Sequence, residues 1–527
     1  MNRKRKGNIK VLSLAIVAIF ILSSCASLST LEVPKASLGT LEVPNYDIDK
    51  IINELPKGEV WRDHLKNDLL PFWTMDDALG DPVGNFPTYR SNEGKLVDPD
   101  NLPPEYKAAL ADPDLAGLIK LERNYVRAQA RQTFAYGIAY HITGDEHYLE
   151  LAKKGVDYLR KNAIDRAGGG AYTYYNKNKG EWGPEVQERT SQDMAYALSG
   201  IGFYYYLTHD PDVLDDILYI KKHIFNTYYD SELDLLRWVM DKSPDGDTPD
   251  QKEIVAQLDQ VYGYMLWLTP SLPEDIQKEW RKNLEDLASI MIKQFFSVEY
   301  HFFWGQITDV RHRHLGADHT DFGHSIKTLW LIYQIGKYTN NIALVNFARE
   351  NAKELIDKAY LKDTGSWARG FDKNGKLDCD KEWWGLAELD QTTATLGLND
   401  PSLVRYLVNT YKYWMDYMVD HKDHEIWHMV SAKDNKPVLK FPKVHSWKNS
   451  LHSFEHALIC YMTTQQLKSE KGKDEPITLY YAFKNPDDYT NYIHPYFFFG
   501  KKGEIKKSSF SELTGYSRYE VKFSDLR

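Results

Sequence analysis

Five times along this 527-residue chain an apolar helical run ends in a short polar turn and a second helix begins. The junctions run through Ala139–Leu149, Tyr206–Leu214, Trp267–Ile276, Tyr338–Leu344 and Gly397–Leu403. Each supplies a Ser, Thr or Asn that reads as an N-cap (Thr143, Thr208, Ser271, Thr339, Asn399), often with Asp or Pro in the following turn. They recur about every 60–70 residues, the spacing of stacked helical hairpins. Counting both arms predicts about twelve helices, near 53–68, 118–142, 145–162, 187–208, 211–227, 251–269, 273–295, 321–338, 341–358, 381–397, 400–419 and 447–468. The expected fold class is all-α, a closed (α/α)6 barrel over 51–470, with an open solenoid as the alternative. Turns inside hairpins are short. The connections between hairpins (168–184, 228–250, 298–321, 364–380, 421–445) are long and rich in Gly and aromatics. Antiparallel hairpins return the chain to one side, so all the long loops must gather on one face and build a pocket there. From about 475 the pattern changes, and 477–483 and 519–523 read as strands of a small β-rich appendage over 471–527.

The ends and the composition bound the setting. Asn2 to Lys10 carries five basic residues, an apolar run follows from Val11 to Leu22, and Leu22-Ser23-Ser24-Cys25 closes it. That is a secretory signal over 1–24 with a bacterial lipobox, cleavage before Cys25 and lipidation of its thiol. Residues 25–50 read as a tether, with Leu31-Glu32-Val33-Pro34 repeated as Leu41-Glu42-Val43-Pro44. The expected location is the cell envelope, lipid-anchored in the outer membrane and facing the periplasm, since no acidic cluster follows Cys25. Only Cys379 and Cys460 remain in the body, too few for a disulfide framework or a cysteine metal site. The net charge of −10 argues against a nucleic-acid partner. Aromatic residues make up 13% of the chain, with 36 Tyr and 14 Trp, a supply of flat rings for stacking on sugars.

Two histidines are marked by position. His324 opens a helix in Asp321-Phe322-Gly323-His324, with Lys327 on its face, and His452 opens the last one after Trp447-Lys448-Asn449-Ser450-Leu451. A helix N-terminus disfavours imidazolium and favours an anionic intermediate, so both read as bases at a pocket mouth. Two metal patterns compete. His452-Ser453-Phe454-Glu455-His456 is H-x-x-E-H, which needs a further acidic ligand nearby. Asp309-Val310-Arg311-His312-Arg313-His314 with Asp318-His319 matches no compact site and reads as a polar loop over the pocket. No metal and no cofactor is expected.

From about 55 to 470 the chain resembles the N-acylglucosamine 2-epimerase superfamily, which includes cellobiose 2-epimerases and aldose–ketose isomerases. The resemblance rests on matches in order: Trp61-Arg62-Asp63-His64, Pro71-Phe72-Trp73, Gln129-Ala130-Arg131-Gln132, Gly323-His324, Lys381-Glu382-Trp383-Trp384 with Ala387-Glu388, and Trp447-Lys448 with His452. It implies cofactor-free proton transfer next to a sugar carbonyl through a cis-enediolate. His324 and His452 would be the acid–base pair and Arg131 the ligand of the developing oxyanion. Trp383, Trp384, Trp304 and Trp367 would be stacking platforms, and Glu388 an orienting acid. The chain departs from the family where Lys327 stands for a Glu, Glu455 for an Arg and Asp259 for a third His. Asp259 and Lys327 thus join the expected substrate contacts, and the paired sign reversal reads as a transposed salt bridge between Lys327 and Glu455. The competing readings are a carbohydrate lyase, a glycoside hydrolase using Asp259, Glu388 or Glu455, and a non-catalytic glycan-binding lipoprotein.

Overall fold

The computed structural model describes residues 46–308, 313–469, 476–485 and 489–527. The signal peptide, Cys25 and most of the stretch read as a tether lie outside the described residues, as do 309–312 of the polar loop. Residues from Asp47 onward form one compact unit. Its first helix, Ile48–Glu54, is capped by Asp47 and overlaps the end of the expected tether.

Twelve helical arms follow, close to the expected places. Helix α1 runs through Gly58–His64, Leu65–Leu69 and Leu70–Trp73. Next come α2 Val126–Thr143, α3 Glu146–Asn162, α4 Ser191–Thr208 and α5 Pro211–Tyr228. Helix α6 comprises Ile254–Gln260, Val261–Met265 and Leu266–Leu268, and α7 is Glu274–Phe295. Then come α8 Phe322–Thr339, α9 Ile342–Ala359 and α10 Trp383–Gly397. Helix α11 comprises Val404–Tyr413 and Trp414–Met418, and α12 is Leu451–Lys468.

The even-numbered helices form a closed inner ring. Helix α2 packs on α4, α4 on α6, α6 on α8, α8 on α10, α10 on α12, and α12 returns to α2. That closure selects the (α/α)6 barrel over the open solenoid. The odd helices lie outside it, each against an inner partner, α1 against α12. Burial follows the layers. In α2 every residue from Val126 to Ile142 is buried, so no face is left for water. The outer α5 buries a stripe at Val213, Ile217, Ile220, Ile224 and Tyr228, the spacing of one helix face.

The hairpin turns differ in detail from the sequence reading. Asn341 caps α9 as an Asn of its junction was expected to, but the other caps are Asp145, Asp210 and Asp400, whose carboxylates accept from backbone N–H groups of the next turn. Thr143 and Thr208 donate back to the carbonyls of Ala139 and Tyr204, four residues upstream, and accept from the N–H groups of Asp145 and Asp210, so their hydroxyls bridge the preceding helix to the turn. Inner helices approach closely where Gly permits it. A Cβ on Gly200 of α4 would stand 2.6 Å from the Ala130 carbonyl oxygen of α2.

All six inner helices point their N-termini at the loop-bearing mouth. The C-terminal halves of α2, α4, α6, α8 and α12 meet the appendage on the floor. Strands β1 Ile477–Lys484, β2 Lys501–Ser509 and β3 Tyr516–Ser524 form an antiparallel sheet in the order β1-β3-β2, with Ile477 opposite Phe523 and Lys484 opposite Tyr516. Strand β2 had no clear sequence signal because it is exposed along its whole length and carries Lys501, Lys502, Lys506 and Lys507. These lysines suit an open edge that must not pair with another chain. The sheet is tied to the floor by Tyr140, whose hydroxyl donates to the Tyr481 carbonyl at 2.7 Å, and by His141 against the Tyr480 carbonyl at 2.9 Å.

Gly200→Val should force α2 and α4 apart and destabilise the barrel by about 1–3 kcal/mol, read from the midpoint of denaturant unfolding. An unchanged midpoint would mean that the ring tolerates a wider α2–α4 spacing than its packing implies.

Candidate active site

The site lies where the first two turns of α2, α4, α6, α8, α10 and α12 converge. Asp321 caps α8: its Oδ1 accepts from the backbone N–H of His324 at 2.8 Å, and its Oδ2 lies 2.7 Å from His324 Nδ1. Burial raises the Asp321 pKa, but the His324 contact outweighs it and holds the carboxyl below its ordinary value. Burial also lowers His324, against the pull of Asp321. A neutral imidazole facing a carboxylate must donate its Nδ1 proton, which leaves the Nε2 lone pair directed away from Asp321. One turn further on, Lys327 donates to Asp259 Oδ1 of α6 at 3.1 Å, with its Nζ 4.3 Å from the Tyr262 ring centroid. Gln192 of α4 fills the other oxygen of Asp259 at 2.6 Å. Burial works against the Asp259 carboxylate, but Lys327 and Gln192 more than offset it and keep the pKa low.

His452 occupies the second position of α12 and is 6% exposed. Its Nδ1 is 3.3 Å from Glu388 Oε1 of α10 and 3.4 Å from the Tyr262 hydroxyl, and its ring lies parallel to Tyr262. Burial, then the charges of Arg131, Lys327 and Lys448, push its pKa well below the ordinary imidazole value. Glu388 is buried, and neither of its carboxyl oxygens has a hydrogen-bond partner. Burial raises it well above the usual range despite Lys327, with Glu455 and Asp259 adding to the rise. Glu455 accepts from Tyr262 at 2.5 Å and from Tyr496 at 2.6 Å.

Trp384 joins the two histidines. Its ring centroid is 4.4 Å from that of His324 and 6.1 Å from that of His452. Gly323 makes room for it, since a Cβ there would stand 2.6 Å from the indole. Trp383 lies edge-on to His428 at 4.6 Å and to His452 at 6.3 Å, as a buried wall. Arg131 donates to the Trp447 carbonyl at 3.0 Å and stacks over Tyr196 at 3.7 Å, with its Nε unpartnered. A cleft of about 300 Å³ opens beside the site, lined in part by Arg127, Gln192, Trp238, His319 and Trp447. A larger groove of about 380 Å³ lies on the outer surface between α5 and α7, remote from both histidines.

The structure thus brings together His324, His452, Arg131, Asp259, Lys327, Glu388, Trp383 and Trp384. Two expectations need correction. Trp367 is fully buried, donates to Asp390 at 2.8 Å and packs on Tyr360 and Tyr406, so it is core rather than a sugar platform. Trp304 is half-buried in a cluster with Tyr300 and Phe302. Lys327 and Glu455 form no direct pair, since Lys327 is bound to Asp259 and Glu455 to two tyrosines.

The H-x-x-E-H pattern also divides. Glu388, His452 and Glu455 hold ligand-type atoms within 4.8 Å of one another. His456, however, points to Asp390 at 3.1 Å and packs on Trp414 and Trp61. Both Glu455 oxygens are taken by hydroxyls, and Lys327 and Lys448 add positive charge, so the donor set suits a proton better than a cation.

Four contributors escaped the sequence reading as site residues. Asp321 carried a usable signal, an acid three residues before a helix-opening His. His319 is the second. It sits 5.0 Å from His324, ring to ring, and its Nδ1 is 3.0 Å from Glu253. Burial would lower it, but Glu253 raises it to about 9, so it is an imidazolium at neutral pH. Tyr262 and Tyr496 had no local signal. Tyr262 sits in the wide turn Val261–Met265 inside α6, a helix irregularity common at functional sites.

Residues 263–458 match the family model described as N-acylglucosamine 2-epimerase (GlcNAc 2-epimerase). A cellobiose 2-epimerase from Dictyoglomus turgidum is 23% identical over 429 residues, covering 75% of this chain and 96% of that protein. One from Bacteroides fragilis is 21% identical over 363 residues, covering 64% and 81%. Among solved structures, a sugar epimerase from a ruminal bacterium superposes with a TM-score of 0.63 at 19% identity, over 77% of this chain and 98% of that one. A D-mannose isomerase superposes with a TM-score of 0.61 at 15% identity, over 77% and 98%. At these identities the structural likeness establishes the fold. The family model and the cellobiose 2-epimerases mark what the barrel is similar to in sequence.

Selective ¹³C labelling of histidine should show His324 titrating below an ordinary imidazole. Replacing His319 by Gln removes a neighbouring positive charge and should raise that value; Asp321→Asn should lower it further. A His324 resonance indifferent to both changes would contradict the electrostatics described for this end of the site.

Proposed function

We propose that this chain is a member of the N-acylglucosamine 2-epimerase superfamily and acts as a sugar 2-epimerase or aldose–ketose isomerase. It moves a proton at the carbon next to the carbonyl of a mono- or oligosaccharide through a cis-enediolate. The observation that carries the reading is the pair of imidazoles from α8 and α12 on one indole, Trp384. The Nε2 of His324, freed by the Asp321 contact, is fitted to take a proton from carbon. His452 is fitted to deliver or accept one on the other side. Arg131 supplies the positive charge for the oxygen on which negative charge develops, and His319 adds a second cation at the mouth. The low basicity of both histidines keeps them neutral and ready near pH 7. Every step uses protein side chains alone.

The N-terminal sequence supports a cell-envelope protein anchored by lipid at Cys25, with the barrel held off the membrane by a short tether and facing the periplasm. Metabolic labelling with radioactive palmitate should mark the protein, and Cys25→Ala should abolish the label. A labelled Cys25→Ala variant would rule that anchor out.

Reducing sugars incubated in deuterated water should gain deuterium at C2, followed by NMR. His324→Asn or His452→Asn should each slow the exchange by about 10²–10⁴-fold without unfolding the barrel. Shortened or unsaturated products, or turnover retained in both variants, would sink this assignment.

A further inference from the structure

The C-terminal sheet sends a segment back into the barrel. His494 is fixed beneath α4 and α6: its carbonyl accepts from the Tyr206 and Tyr481 hydroxyls at 2.6 and 2.7 Å, and its Nε2 lies 3.0 Å from Ser271 Oγ. Tyr496 follows, its backbone N–H donating to Tyr206 Oη at 2.9 Å. Its backbone adopts φ +54°, a left-handed conformation that a tyrosine takes only when its surroundings impose it. The surroundings here are Trp267, Phe203 and Phe134 around its ring, with Phe497 beside it and anchored on Trp330. The tyrosine is 2% exposed, and its hydroxyl ends 2.6 Å from Glu455 Oε1.

We propose that Tyr496 is a positioning residue for the reaction: the appendage delivers it through the barrel floor to hold the Glu455 carboxylate one helical turn below His452. This rests on the assignment of His452 as an acid–base group.

The physical reason lies in the groups that face Glu455. Tyr262 comes from α6, Lys327 from α8, Glu388 from α10, His452 from α12 itself and Tyr496 from the floor. Asp259 acts on Glu388, and Arg131 and Lys448 act on His452. When His452 takes a proton during turnover it becomes a buried cation among Arg131, Lys327 and Lys448, and it needs an anion close by. Glu388 touches it, but burial raises that carboxyl well above the usual carboxylate range. Glu455 is the carboxyl whose two oxygens have hydroxyl donors to stabilise a carboxylate, which Glu388 lacks. Burial raises it to about 7, and the rise stops there because the two tyrosine hydroxyls and Lys327 stabilise the carboxylate. Without the Tyr496 hydroxyl, Glu455 stays protonated to higher pH. Activity that needs the carboxylate is present above its pKa and lost as pH falls through it.

Tyr496→Phe keeps the ring and its packing and removes the one hydrogen bond. Its acid limb in the C2-exchange rate should move upward from near pH 7. A limb displaced upward by about one pH unit lowers the rate about tenfold on the acid side while the alkaline plateau is retained. Tyr481→Phe loosens the same segment without touching Glu455, and should lower thermal stability while leaving the limb in place. Equal limb shifts in both variants, or no shift in Tyr496→Phe, would overturn the proposal. A readout independent of sugar is the ¹³C-histidine resonance of His452, assigned by its loss in His452→Asn. It should show a step near pH 7 that moves up in Tyr496→Phe and vanishes in Glu455→Gln. Absence of that step overturns the role of Tyr496 whatever the substrate. Its presence without sugar exchange leaves this role standing and removes the proposed reaction instead.

Discussion

Closure of the inner helical ring is the constraint on which the rest of this molecule depends. A helix surrounded on all sides cannot turn its polar residues to water, so each must find a partner across the axis. Near the mouth this condition is met by Lys327 with Asp259 and Asp259 with Gln192 across neighbouring helices, and by His324 with its own cap Asp321. Such buried pairs contribute little net stability, because desolvation offsets the attraction. Their contribution is placement. Lys327 and His452 are held by groups on neighbouring helices, His324 by the cap of its own helix and Arg131 by the Trp447 carbonyl, and the helices are fixed by the ring.

The same closure explains how the sign reversals at positions 327 and 455 are accommodated. A lysine on α8 needs an anion on a neighbouring element, and Asp259 on α6 supplies it. A carboxyl on α12 with no cation bound directly to it needs donors, and the hydroxyls of Tyr262 and Tyr496 serve. One of those hydroxyls comes from beyond the barrel. The appendage is thereby part of the interior, joined to the site by a chain of contacts through the axis.

The hairpin repeat made the barrel legible, because inner–outer alternation and short turns are written in local periodicity and in the caps. His324 and His452 were legible for a related reason, since a helix start is a local signal. Tryptophan roles were not. Trp367 and Trp384 look alike in a sequence, and only the loop geometry puts one against Asp390 and the other between two imidazoles. Nor could Tyr496 be found, because its partner lies 41 residues earlier, on another layer. Strand β2 escaped for the opposite reason: it has no buried face, so it has no alternation.

The arrangement stands or falls on two imidazoles facing one sugar unit from opposite sides. The most direct measurement is a crystal structure with an open-chain sugar alcohol, an uncharged mimic of the ring-opened substrate. Its C2 should lie between the imidazoles of His324 and His452, each within hydrogen-bonding reach of C2 or its oxygen, with Trp384 alongside. A polyol seated elsewhere in the barrel, or touched by only one of the two imidazoles, would contradict the proposed chemistry.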